Sequence, residues 1–155
     1  MDSVFNQLIE RLRERRETLC FAESCTGGLL SSEVTKQPGV SDVYLGSFVT
    51  YSNLMKNEVL KVPAHLISTL GAVSRPVDLH MALGAKTLTK ASWAVSITGI
   101  AGPTGGTDKK PVGTVCFAIV GPGIEWTTQT SFSGSRTQVQ QSSAEFAARC
   151  LLEKL

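Results

Sequence analysis

The chain has 155 residues, 42% hydrophobic and 18% charged, enough for one domain with a real core. Its formal net charge of +2 brings no basic stripe of the kind a dedicated nucleic-acid binder carries. No apolar run approaches the ~20 residues that span a bilayer, and no apolar h-region follows the charged N-terminus, so the sequence predicts a cytoplasmic protein with no signal peptide and no membrane partner.

Val4, Phe5, Leu8, Ile9 and Leu12 recur at helical spacing, which predicts an amphipathic helix over 3–16 capped by Ser3. The mixed charges between Glu10 and Glu17 form its solvated face. Residues 18–22 read as a short buried strand. Residues 26–35 read as a helix, since Leu29, Leu30 and Val34 share a face, and Pro38-Gly39 ends it. A strand follows over 45–51, then a helix to Leu60 capped by Ser52. Pro63 opens another helical turn that Gly71 stops. Ser74 caps a helix over 75–90 with Val77, Met81, Leu83, Ala85 and Leu88 as buried candidates. Strands are predicted over 93–97, 112–120 and 124–132, the last two joined by Gly121-Pro122-Gly123 as an antiparallel hairpin. A final helix over 136–153 buries Val139, Phe146, Ala147, Cys150 and Leu151. The fold class expected is α/β: a three-layer α/β/α sandwich with a mixed, mostly parallel sheet of about five strands, residues 1–155 forming a single domain.

Sites in such sheets form beyond the carboxyl ends of the parallel strands. Ser24, Tyr51 and Thr98 each stand at such a place. Ser24 opens a glycine-rich turn, Ala22-Glu23-Ser24-Cys25-Thr26-Gly27-Gly28, whose N–H groups suit an oxyanion or phosphate. A serine nucleophile needs a base. His65 follows a Pro-Ala turn and His80 lies within a helix, so neither suits a triad. Lys56 and Tyr51 are the better activators; the alternative is a surface lysine and a rim tyrosine. Cys25 is a rival nucleophile or a small buried thiol beneath the turn.

A second turn holds Thr98, Gly99, Gly102, Thr104, Gly105, Gly106 and Thr107. It suits a phosphate cradle without matching a triphosphate or dinucleotide motif, and the alternative is a long surface loop. Arg136 is a candidate clamp for a phosphate or carboxylate, or an exposed helix residue. Cys20, Cys25, Cys116 and Cys150 lack Cys-x-x-Cys spacing and read as reduced thiols. Glu23 and Asp42 stand isolated, and no cluster has metal-ligand spacing. The chemistry expected uses neither metal nor cofactor.

Taken in order, Ala-Glu-Ser-Cys-Thr-Gly-Gly at 22–28, Phe-Val-Thr-Tyr-Ser-Asn with its following lysine at 48–56, Gly-Ala-Val-Ser at 71–74, Thr-Gly-Ile-Ala-Gly-Pro-Thr-Gly-Gly-Thr at 98–107, Lys-Pro-Val-Gly-Thr-Val at 110–115 and Phe-Ser-Gly at 132–134 resemble the CinA C-terminal domain family. The resemblance spans nearly the whole chain. It implies a nicotinamide mononucleotide amidohydrolase of pyridine-nucleotide recycling, releasing nicotinic acid mononucleotide and ammonia. The family's nucleophile falls on Ser24, and its tyrosine, lysine, threonine and arginine fall on Tyr51, Lys56, Thr98 and Arg136. Cys25, Thr26, Gly27, Gly28, Gly99, Gly102, Thr104, Gly105 and Gly106 would hold the small nucleotide substrate. A cytoplasmic homo-oligomer is the expected form. Three positions depart from the pattern: Ser135 replaces an aspartate, Gln140 an arginine and Arg75 an acidic residue. They keep an alternative open, a catalytically weak paralogue that binds a pyridine nucleotide as a regulatory module. A phosphotransferase using the same loops is a third reading.

Overall fold

The computed structural model describes residues 3–155. Helix α1 covers Val4–Arg15; Ser3 accepts the Asn6 N–H as its cap, and Phe5, Leu8, Ile9 and Leu12 are buried. Strand β1, Leu19–Glu23, is buried at every residue. Helix α2 covers Leu29–Thr35, and a single 3₁₀ turn at Val40–Asp42 leads into strand β2, Tyr44–Val49. Then come α3 (Asn53–Leu60), α4 (Ala64–Leu70), α5 (Arg75–Thr89), β3 (Trp93–Gly99), β4 (Thr114–Gly121), β5 (Ile124–Ser131) and α6 (Arg136–Lys154).

The strands lie in the order β2-β1-β3-β4-β5. β1 pairs parallel with β2 and β3, while β4 runs antiparallel to both β3 and β5. Hence β4 alone points against the others, and the sheet is mixed and mostly parallel, as the alternation of helices and strands predicts. One face carries Leu19, Phe21, Val95, Ile97, Phe117 and Ile119 against α1, α2 and α6. The other carries Cys20, Ala22, Ala94, Ala118 and Val120 against residues of α3, α4 and α5. The small residues on this second face let α5 lie close to the sheet. The result is the three-layer sandwich.

Local departures from the expected boundaries have physical causes. Helix α2 starts at Leu29 and not at Thr26, because Gly27 and Gly28 take left-handed backbone, φ +59° and +103°. β4 starts at Thr114, after Gly113 bends the chain at φ +94°. In α5, Val77, Met81 and Ala85 are buried as expected, but Leu88 is 54% exposed and Leu83 half-buried. Phe146 is half-buried and packs against Phe117 and Phe132.

Candidate functional site

β1 and β2 run parallel and adjacent, so their carboxyl ends deliver Ser24 and Tyr51 to one edge of the sheet. Thr98 arrives there near the end of β3, within the strand and not after it. Ser24, Cys25, Tyr51, Asn53, Lys56, Thr98, Gly99, Ala101 and Arg136 line a cleft of about 180 Å³, together with Ala72 and Val73. His65 and His80 are not among the lining residues.

Lys56 is only 1% exposed, which rules out a surface lysine. Its Nζ lies 3.0 Å from Ser24 Oγ, 3.0 Å from the Thr50 carbonyl and 3.0 Å from the Tyr51 carbonyl. A neutral amine has two N–H bonds and one lone pair. In the structure Nζ donates to Ser24 Oγ, whose hydroxyl in turn reaches the Tyr51 carbonyl at 3.5 Å; a neutral Lys56 that keeps both carbonyls as acceptors has its lone pair left for the Ser24 hydroxyl. Burial lowers the Lys56 pKa and favours that neutral form. Cys25 and Asp78 would oppose this if charged. Burial pushes the Cys25 thiol up to about 12 and the Asp78 carboxyl well above its usual range, so both neighbours lose the charge that would hold the ammonium. A thiol at about 12 is also a poor nucleophile at neutral pH, which favours Ser24 over Cys25.

Tyr51 meets this pair through its main chain. Its phenol is turned outward and accepts from Arg136 Nη2 at 2.9 Å, and the residue is 59% exposed. Arg136 Nη1 donates to the Gly102 carbonyl at 2.7 Å. Arg136 thus bridges the tyrosine to the second turn from the first residue of α6. Thr98 is buried and donates to the Ala72 carbonyl at 3.1 Å.

The first turn is built around Glu23, which the sequence left as an isolated acid. Its side chain is fully buried. One carboxylate oxygen accepts from Thr26 Oγ1 at 2.6 Å, Leu30 N–H at 3.0 Å and Gly28 N–H at 3.2 Å. The other accepts from Ser31 N–H at 3.0 Å and Ser31 Oγ at 2.5 Å. The anion at this helix start is therefore the protein's own. The Thr26 hydroxyl and Gly28 N–H, expected to face substrate, are committed to Glu23, and Gly27 N–H goes to the Ser24 carbonyl at 3.0 Å. The Cys25 and Thr26 main-chain N–H groups are the turn's donors that Glu23 leaves.

The second turn packs more than it cradles. A Cβ on Gly102 would stand 2.4 Å from Val112 Cγ1, and one on Gly106 2.6 Å from the Val112 nitrogen. Thr104, Gly105 and Gly106 are exposed and are not among the cleft-lining residues, whereas Gly99 is. The three departures also have places. Ser135 caps α6 in a reciprocal pair with Gln138, doing what an aspartate does there. Gln140 donates to the Cys25 carbonyl at 3.0 Å. Arg75 donates to Thr127 Oγ1 at 3.1 Å. Asp78 is the residue whose role sequence patterning misses: both carboxyl oxygens are buried without a hydrogen-bond partner, and the Ser96 hydroxyl donates instead to the Asp78 main-chain carbonyl at 2.6 Å. Among the described residues no three His, Cys, Asp or Glu side chains converge to hold a metal ion, and no helix is long and apolar enough to cross a membrane.

Fold and site together define a three-layer α/β domain with a buried serine–lysine pair at the carboxyl edge of its parallel strands. The chain belongs to the CinA C-terminal domain family, whose pattern it matches over residues 1–155. It is 46% identical over 140 residues to a CinA-like protein of Prochlorococcus marinus subsp. pastoris, covering 90% of this chain and 32% of that protein. A CinA-like protein of Anaeromyxobacter is 47% identical over 137 residues, 88% of this chain and 33% of that protein. The chain thus spans about a third of the length of these curated relatives. Among solved structures it superposes on a CinA superfamily protein of Klebsiella pneumoniae with TM-score 0.94 at 36% identity, covering 97% of this chain and 94% of that one. A competence or damage-inducible protein of Enterobacter asburiae gives TM-score 0.95 at 30% identity, with 99% of each chain covered.

Proposed function

We propose that the protein is an amidohydrolase that removes ammonia from nicotinamide mononucleotide through a Ser24 acyl-enzyme. The observation that carries this is the Lys56 Nζ to Ser24 Oγ contact of 3.0 Å, with two carbonyls holding the other faces of the amine. Lys56 takes the Ser24 proton as Oγ attacks the carboxamide carbon. The new oxyanion is met by main-chain N–H groups of the first turn. The C–N bond then breaks, Lys56 returns its proton to the leaving nitrogen, and ammonia departs. A water molecule, deprotonated by the same Lys56, attacks the Ser24 ester; the ester C–O bond breaks, Lys56 returns that proton to Ser24 Oγ, and the carboxylic acid leaves. Thr98 and Gly99 line the wall against the pyridine ring. Arg136, exposed and already oriented by Tyr51 and Gly102, pairs with the phosphate.

Family membership supports a pyridine-nucleotide substrate, and the Lys56–Ser24 geometry supports serine–lysine chemistry. The cap at Ser135 and the bond from Gln140 support a working site over a weakened one, since neither departure leaves a gap. The test is ammonia release from nicotinamide mononucleotide. Wild-type protein should release it, and Ser24→Ala should lose at least ~10³-fold of the rate. Full release by Ser24→Ala would end the serine mechanism. Binding of the nucleotide without turnover would favour the regulatory reading.

A further inference from the structure

We infer that Gln140 is a positioning residue for the oxyanion-binding segment, acting from α6 on the peptide that follows the nucleophile. This rests on the serine mechanism above. In a trans peptide the N–H points opposite to the C=O, so whatever holds the carbonyl aims the amide. Two peptides follow Ser24. The Ser24 carbonyl accepts from Gly27 N–H at 3.0 Å, which fixes the plane that carries the Cys25 N–H. The Cys25 carbonyl accepts from Gln140 Nε2 at 3.0 Å, which fixes the plane that carries the Thr26 N–H. The Ser24 N–H is itself anchored on the Ile97 carbonyl of β3 at 3.0 Å.

The turn therefore closes its first peptide by its own hydrogen bond, but its second depends on a side chain 115 residues away in sequence. Glu23 restrains the turn through its Thr26 hydroxyl and Gly28 N–H, and touches neither of these two amides. The amide of the residue after a serine nucleophile is a recurrent oxyanion donor. Gln140 acts one peptide further on: through the Cys25 carbonyl it orients the Thr26 N–H, the donor that follows the Cys25 N–H in the turn. The orientation of the side-chain amide is fixed by its partner, because a carbonyl accepts only from Nε2. Gln140 is half-buried, does not itself line the cleft and reaches it only through the Cys25 carbonyl, so it orients main chain and does not hold substrate.

An amide aimed at an oxyanion matters in the transition state and little in the ground state. Gln140→Leu should therefore lower kcat for ammonia release about 10-fold to 100-fold, with KM within about twofold. Gln140→Arg restores a donor and should recover most of kcat. Thermal melting points should differ little among the three proteins. The same variants are run with p-nitrophenyl acetate, following nitrophenolate release that depends on Ser24. This ester needs the oxyanion segment and not the nucleotide-binding surface. A Gln140→Leu deficit in acetate turnover with no ammonia from nicotinamide mononucleotide in wild type would keep this inference and remove the substrate assignment. Unchanged kcat in Gln140→Leu, a loss lying in KM, or no recovery in Gln140→Arg would each overturn it. If Gln140→Leu melts early, Gln140→Glu, which keeps the shape and presents an acceptor to the Cys25 carbonyl, must show the same kcat deficit.

Discussion

The two glycine-rich turns look alike in sequence and are held by opposite means. In the first, polar bonds do the holding: the buried Glu23 carboxylate gathers main-chain and hydroxyl donors from Thr26 to Ser31. In the second, close packing does it: the glycines let the loop lie on Val112, with no room for a Cβ at Gly102 or Gly106. Glycine thus marks a backbone approach in both, to a carboxylate in one and to a neighbouring segment in the other. The chemistry follows the difference. The polar turn sits beside Ser24, the proposed nucleophile, where amide directions matter. The packed turn supplies a wall through Gly99 and Ala101, and one carbonyl, Gly102, that seats Arg136.

Substitutions can break that contrast, and the largest effect should come from the group the first turn serves. Lys56→Met keeps the buried stem and removes the proposed base, so kcat for ammonia release should fall about 10²- to 10⁴-fold. In the wild type, kcat/KM should rise with pH along a limb below the ordinary lysine value of about 10.4, since burial lowers the Lys56 pKa. A limb at or above that value would contradict the neutral-amine reading.

Next comes the polar turn. Glu23→Gln replaces an acceptor by a donor that faces other donors, so unfolding free energy should drop by about 1–3 kcal/mol in urea titration. Ammonia release should fall with it. A variant as stable as wild type would mean that the turn is held by something other than Glu23. The packed turn should answer to bulk instead. Gly102→Ala meets both a φ of +86° and Val112, and should cost about 1–2 kcal/mol. Val112→Ala relieves the contact and should recover part of that loss, whereas it should do nothing for Glu23→Gln.

The smallest effect lies beneath the site. Asp78 keeps a proton in the folded chain that the unfolded chain loses above about pH 4. Its burial therefore subtracts stability increasingly as pH rises from there toward its folded pKa. Asp78→Asn should raise the melting point, with a larger gain near pH 8 than near pH 5. A gain that is flat with pH would show that the acid is ionised and paired in the fold.

The layers were readable because apolar spacing and strand length carry them; strand ends pointed to Ser24, Tyr51 and Thr98, residue type and nearby position added Lys56 and Arg136, and all five line one cleft. What the sequence hid was the direction of side chains toward main-chain atoms. Glu23 looked isolated because its partners are largely N–H groups, which no letter in the sequence marks. Tyr51 looked like a proton carrier, yet it is its carbonyl that faces Lys56. Gln140 looked like a loss because its acceptor is a carbonyl in a distant turn. Asp78 stands among Val77, Met81, Ala82 and Ala85 on the buried face of α5, where a carboxyl is not expected.

The proposed mechanism requires a covalent bond between Ser24 and the substrate's acyl carbon, which can be observed directly. The protein is mixed with nicotinamide mononucleotide, quenched in acid within the first turnover, digested and weighed. The peptide that holds Ser24 should gain the mass of the nucleotide less ammonia, and the gain should vanish in Ser24→Ala. Turnover without any such adduct, alongside ammonia release that survives Ser24→Ala, would contradict the account.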